Sequence, residues 1–385
     1  MRHHACVLRR AAAFGLAWSI AIVLAVPALG GENENVIESF AVDGSGDLLL
    51  IPVTVAGAQH QFILDTGCTV SVFDDSLKGA LRSTGEMVPL NGGMPLELFE
   101  CQDAAVGKSM SKLGKFAACF DLHEIRKYSG HDVRGILGLN FLRRFVVQID
   151  FDAGCVSLLK AADTIPGERI PMAIDRPGCL TVDLTLPSLG PTPFVVDTGN
   201  IGFRSGCLSK STFESLSRAG QIDVLAGKSR DAEFAGISEG RVGMIRQQTL
   251  GRFKHRRQIF TEGRFDSLGI GYLSRFRVTL DYPNWQLILE PGKRFARTSP
   301  ANIAGIDIDV VEQRLIVRDV DRDGLAWNSG IRPRDEIVAV DGVSAHEMPL
   351  LDVGASLYIC SDGLLLKIAA ADSKVHREVR LSRTK

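Results

Sequence analysis

The chain has 385 residues, 45% of them hydrophobic, and a formal net charge of −1. That length accommodates two or three domains with sizeable cores. The balanced charge gives no electrostatic reason for binding nucleic acid or an anionic membrane surface.

Arg2, Arg9 and Arg10 precede an apolar run over residues 11–26, and Ala28, Leu29 and Gly30 then offer cleavage-site spacing. This is the pattern of a secretory signal peptide, so residues 1–30 stand outside the fold and export to the periplasm or beyond is expected. The run is short for a spanning helix, and the membrane is a partner only if the segment stays uncleaved. Cys68, Cys101, Cys119, Cys155, Cys179, Cys207 and Cys360 follow it. Export permits disulfides. The number is odd, no C-x-x-C or zinc pattern occurs, and isolated buried thiols fit as well as bridges.

A repeat then organises the chain. Residues 62–67, Phe-Ile-Leu-Asp-Thr-Gly, match residues 194–199, Phe-Val-Val-Asp-Thr-Gly, at an offset of 132. Residues 137–145 match 268–276 at an offset of 131, and so does Gln148-Ile149-Asp150 with Thr279-Leu280-Asp281. Val42-Asp43 matches Ile174-Asp175 at 132. Ordered matches at one offset indicate two copies of one unit. Within each copy the apolar and alternating runs predict strands, over 48–55 and 180–186, 62–64 and 194–196, 145–151 and 276–282. Each last strand meets turn residues and a further apolar run, which reads as a hairpin. One short helix is expected near 210–218, capped by Ser209 or Ser211. The basic cluster Arg252, Lys254, His255, Arg256 and Arg257 reads as a solvated strand or loop, with no aromatic platform for nucleic acid beside it.

Asp65 and Asp197 each end a wholly apolar strand. Burying an unpaired carboxylate is costly, so such a group is paired, protonated or functional. Two carboxylates brought within about 3 Å share one proton. One then acts as a general base on water, while the other, protonated, donates to the substrate carbonyl and later helps protonate the leaving amine. The glycine after each Asp-Thr lets amides approach the carboxylate, and the threonine hydroxyl can tie two such loops together.

On these residues the chain resembles the pepsin and retropepsin families of aspartic peptidases. The resemblance covers about residues 36–295. It includes the aliphatic-aliphatic-glycine loops Ile136-Leu137-Gly138 and, as a weaker copy, Ser267-Leu268-Gly269. It implies a mainly β fold of two β-barrel lobes around a central cleft, with Asp65 and Asp197 catalytic. Thr66, Gly67, Thr198, Gly199, Gly138 and Gly269 would support the catalytic loops, and Asn91, Gly92 and Gly93 would form a flap. Residues 236–240 fall where the second flap belongs. Polypeptide is the implied substrate, with no metal and no organic cofactor. After the glycine these families usually carry Ser, Thr or Ala; this chain has Cys68 and Asn200. The flap tyrosine of pepsin is absent, so the first unit is the more retropepsin-like. Residues 236–240 also match G-x-S-x-G, but the flanking residues lack the strand and helix that a nucleophile elbow needs.

After a linker at 297–300, residues 301–385 resemble a bacterial PDZ domain, carried by residues 323–342 from Asp323-Gly324-Leu325 to Val340-Asp341-Gly342. The resemblance implies a small α+β domain that binds peptide ends at a sheet edge. Ala304, Gly305 and Ile306 would hold the peptide carboxylate, with a groove helix near 350–358. The segment 325–331 reads as core. The expected organisation is signal peptide 1–30, lobes 31–165 and 166–295, and PDZ domain 296–385. The expected activity is an aspartic endopeptidase whose PDZ domain recruits polypeptide. The alternatives are a peptide-binding protein on the same fold that has lost turnover, and a structural or adhesion protein, against which both aspartates argue.

Overall fold

The computed structural model describes residues 34–42, 48–90, 94–108, 111–129, 131–175, 178–202, 204–233, 236–296, 304–311, 314–322, 324–348, 353, 356–357, 363–371 and 375–382. The signal segment, Asn91, Gly92, Gly93, the linker at 297–300 and most of the expected groove helix lie outside the described residues. What is described is mainly β, as the alternating and apolar runs predict.

The strands of the duplicated unit recur in one spatial order. The first half runs Arg82–Leu90, Met94–Glu100, Phe116–Phe120, Val72–Asp74, Val133–Leu137, Ala58–Leu64, Leu50–Val55 and Ala104–Val106. The second runs Ile222–Glu233, Gly236–Leu250, Phe253–Gly263, Gly206–Ser209, Ser267–Leu268, Gly190–Val196 and Leu180–Leu186. Strand directions agree as well: Ala58–Leu64 lies parallel to Val133–Leu137, and Gly190–Val196 parallel to Ser267–Leu268. Gly236–Leu250 reaches back to Leu180–Leu186 at Leu184↔Leu250, closing a ring of six strands. In the first half the same path is broken at residues 101–103, and the separate piece Ala104–Val106 makes the closing contact with Leu50–Val55.

The hairpins that end each half meet in a shared six-stranded sheet. Its order is Val36–Ala41, Cys155–Leu159, Val146–Asp150, Phe276–Asp281, Gln286–Pro291 and Glu168–Pro171. Both hairpins turn on an aspartate: Asp150 Oδ1 accepts the Ala153 amide at 2.9 Å, and Asp281 Oδ1 accepts the Asn284 amide at 3.2 Å. Such local side-chain acceptors stabilise turns over continued strand. At the junction Gln148 stands opposite Thr279 and donates to its hydroxyl at 3.0 Å. These two residues are the same position of the repeat. A position that faces its own equivalent lies on a two-fold axis, here an internal one. One apolar cluster runs through both halves, with Phe62 and Phe194 fully buried in it.

The expected helix forms at Lys210–Arg218, where Ser209 Oγ accepts the Thr212 amide at 3.3 Å as an N-cap. The basic cluster needs a correction. Strand alternation leaves Arg252, Lys254, Arg256 and Arg257 exposed, but turns His255 inward to 6% exposure.

Residues 304–381 carry a sheet of their own, ordered Ile306–Val311, Arg314–Val320, Glu336–Val340, Leu364–Ala369 and His376–Leu381, around a separate apolar cluster. Ala326 and Ile331, from the short helix Leu325–Asn328 and the turn after it, are fully buried there, as expected for core. Ala304 and Ile306 are buried too, and Gly305, at φ +67°, supplies the left-handed turn between them. The Ala304 and Gly305 carbonyls accept the Ala326 and Asp321 amides at 3.0 and 2.8 Å, pinning this loop to the start of the helix.

Because the two apolar clusters are separate, a chain ending at residue 296 is expected to keep one cooperative unfolding transition and its β-type far-ultraviolet dichroism. Loss of cooperativity on that truncation would show instead that the parts fold as one.

Candidate active site

Two equivalent turns build the site. Phe62, Ile63 and Leu64 end one buried strand, and Phe194, Val195 and Val196 end its counterpart. Each aspartate follows directly, its amide held by the neighbouring parallel strand: Asp65 N donates to Leu137 O and Asp197 N to Leu268 O, both at 3.0 Å. Gly138 and Gly269 come next on those strands. A Cβ at Gly138 would lie 2.7 Å from Cys68 O, and one at Gly269 would lie 2.6 Å from Asn200 O, so only glycine allows this packing. Leu139 N and Ile270 N then donate to those same two carbonyls at 2.8 Å.

The halves are tied by their threonines. Thr66 N donates to Thr198 Oγ1 at 3.1 Å, and Thr198 N donates to Thr66 Oγ1 at 3.0 Å. Each hydroxyl also donates across the interface, Thr66 to Val196 O at 2.6 Å and Thr198 to Leu64 O at 2.8 Å. Both are fully buried, so breaking one contact would orphan several polar groups at once.

This grip sets the carboxyls together. Asp65 Oδ1 accepts the Gly67 and Cys68 amides at 2.8 and 3.1 Å, and Asp197 Oδ1 accepts the Gly199 and Asn200 amides at 3.0 and 3.1 Å. Each carboxyl abuts the other half's glycine: a Cβ on Gly67 would come 2.6 Å from Asp197 Cγ, and one on Gly199 would come 2.5 Å from Asp65 Cγ. The two carboxyls are close enough to act on each other's protonation. They retain only 9% and 8% exposure. Burial pushes the Asp65 carboxyl up to about 6, although the Gly67 and Cys68 amides pull against it. Burial, and then the Asp65 charge, push Asp197 well above the carboxylate range. Such a pair holds one proton between its members across a wide pH range and can act as base and acid together.

The residues after the glycines turn away from the dyad. Cys68 Sγ donates to Val70 O at 3.1 Å. Burial, reinforced by the Asp65 charge, keeps its thiol protonated well above neutrality, which excludes a thiolate nucleophile there. Asn200 Nδ2 donates to Ser267 Oγ at 3.0 Å and contacts Cys207 Sγ at 3.3 Å. The described cysteines are all free thiols.

Other supporting residues were not singled out in the sequence. Asn140 Oδ1 accepts both the amide and the hydroxyl of Ser71, at 2.8 and 2.7 Å, and Ser71 Oγ accepts the Gly138 amide at 3.0 Å. Cys179 Sγ, from the second half, donates to Gly67 O at 3.4 Å. Asn140 falls inside the repeated segment 137–145, where the second copy has Gly271, and that mismatch was the available signal. Cys179 carried none. The strands Arg82–Leu90 and Met94–Glu100 pair antiparallel, as do Ile222–Glu233 and Gly236–Leu250. Residues 236–240 therefore begin a strand, without the strand-turn-helix geometry of a serine nucleophile.

Both carboxyl shifts are upward, so folding favours the protonated forms. That stability is whole below an ordinary carboxylate pKa of about 4. It is lost as pH rises through about 6. Asp197→Asn is therefore expected to raise Tm at pH 7 by about 2–5 °C, with the gap closing toward pH 4. An equal or lower Tm at pH 7, measured by scanning calorimetry, contradicts the electrostatic account.

No protein-family model matches the sequence, and no curated protein matches it. Among solved structures, part of the chain is similar to one titled photosystem II D1 C-terminal processing protease, at 24% identity over 24% of this chain and 26% of that one, with a TM-score of 0.21. The chain thus spans about a quarter of that protein, and a likeness at this score carries no argument about fold or activity.

Proposed function

We propose that the protein is an exported, single-chain aspartic endopeptidase with two pepsin/retropepsin-like lobes, and that residues 296–385 act as a PDZ domain that recruits polypeptide. The observation that carries the reading is the reciprocal Thr66–Thr198 exchange, which sets the Asp65 and Asp197 carboxyls each against the other half's glycine. Agreement of strand order in the two halves supports the bilobal part. In this reading the ionised member of the dyad takes a proton from a bound water. Water attacks the scissile carbonyl, whose oxygen accepts a hydrogen bond from the protonated member, and the dyad returns a proton to the departing amine. The chemistry needs neither a metal nor an organic cofactor. The recruiting role is supported by the sheet edge Ile306–Val311, which passes within 8 Å (Cα to Cα) of helix His123–Ser129.

Asp65→Asn and Asp197→Asn are each expected to slow cleavage of an unfolded protein by about 10²–10⁴-fold or more, with the fold intact by circular dichroism. Undiminished cleavage by both would remove the assignment. Cys68→Ala is expected to leave the pH dependence of kcat/KM in place, because the thiol proton goes to Val70 O and not to Asp65. A displacement of the profile by about one pH unit would mean that the thiol does reach the carboxylate.

A second reading, a peptide-binding protein without turnover, is favoured by one observation: Cys68 and Asn200 direct their side-chain donors elsewhere. Peptide binding by the parent protein, with no cleavage of a diverse peptide library between acid and neutral pH, would select it.

A further inference from the structure

The second half contains a buried polar cluster that the dyad does not use. Gln248, His255, Tyr272 and Arg275 are 1%, 6%, 0% and 4% exposed. Among the described residues, Gln248 Oε1 and Nε2, His255 Nε2 and Tyr272 OH meet no hydrogen-bond partner. The four side chains are neighbours. Gln248 stands opposite His255 on paired strands. The His255 ring meets Tyr272 edge-on, 5.1 Å between centroids. The Arg275 charge acts on both His255 and Tyr272. Phe276 and Phe295 wall the histidine at 5.9 and 5.3 Å.

The repeat supplies an internal control. At an offset of 131, Tyr272 corresponds to Phe141 and Arg275 to Arg144. Phe141 is buried with no hydroxyl, and Arg144 donates to the backbone carbonyl of Leu113 at 3.3 Å. The fold itself is therefore content with an apolar ring at this place. An unmatched buried polar atom costs roughly 1–3 kcal/mol, and clusters of them persist where water or an ion completes them.

We propose that Gln248, His255, Tyr272 and Arg275 enclose a site for one small inorganic anion of chloride size, taken up together with a proton on His255. The Tyr272 hydroxyl and the Gln248 amide are donors, and His255 Nε2 becomes one on protonation. An anion accepts from these three, and the Arg275 guanidinium supplies a positive field whatever else it touches. Tyr272 and Arg275 are the titratable groups facing His255 among the described residues; Gln248, Phe276 and Phe295 are neutral. Burial, and then Arg275, hold His255 down to about 4. A bound anion offsets that repulsion, so proton and anion uptake reinforce each other, and affinity rises as pH falls. Tyr272 belongs to the helix Ile270–Leu273 that starts at Gly269, so an occupied site also braces the loop behind Asp197.

The test uses the intact protein, with sodium chloride replacing sodium gluconate at constant ionic strength. Chloride is expected to raise Tm by a few degrees at pH 5 and by less at pH 7.5. Tyr272→Phe, which copies the first half and so preserves packing, should lose most of that response. His255→Gln should keep a response but lose its pH dependence. Crystals soaked in bromide should show an anomalous peak among the four side chains. Equal Tm in chloride and gluconate, a full response in Tyr272→Phe, or an ordered water without bromide signal would each overturn the proposal.

Discussion

The reciprocal exchange between Thr66 and Thr198 is the contact on which the remaining geometry depends. Each threonine gives its amide to the other's hydroxyl and its hydroxyl to the opposite strand. Four hydrogen bonds between fully buried threonines and their partners fix two turns that each carry a carboxylate. The approach of Asp65 to Asp197 follows from this grip. No attraction between the carboxyls is needed, and at neutral pH their ionised forms would repel.

That arrangement has an electrostatic cost, and the surrounding residues limit it without removing it. Backbone amides reach both carboxyls, yet the side chains that follow the glycines send their donors to Val70 and Ser267. The dyad therefore stays above the ordinary carboxylate range. Strain of this kind persists where a rigid frame over-determines it. Here the frame is the parallel strand pairs that end at Gly138 and Gly269.

Much of this was legible in the sequence because the repeat acts as its own alignment. Matching segments at 62–67 and 194–199 located both turns, and matching segments at 137–145 and 268–276 located the glycines that pack behind them. Leu180–Leu186 forms the strand that its alternation predicts, and Ser209 caps the expected helix. What stayed hidden depends on side-chain direction or on distant packing. A run of cations looks solvated until strand alternation sends His255 inward. The break at 101–103, which divides one long strand into two, leaves no clear mark in hydrophobic period. Cys179 reaches the first aspartate turn only because the halves face each other.

The pairing of Gln148 with Thr279 has a consequence for assembly. A contact in which a position meets its own repeat is self-complementary: each half offers the surface that it receives. Two separate copies of one half would satisfy the same geometry, but at a concentration-dependent equilibrium. Joining them in one chain makes docking intramolecular, with an effective concentration on the order of millimolar. The completed dyad then does not dissociate on dilution. The join also releases each half from having to match itself, and the replacement of Phe141 by Tyr272 and of Asn140 by Gly271 at matched positions is the divergence that such freedom permits.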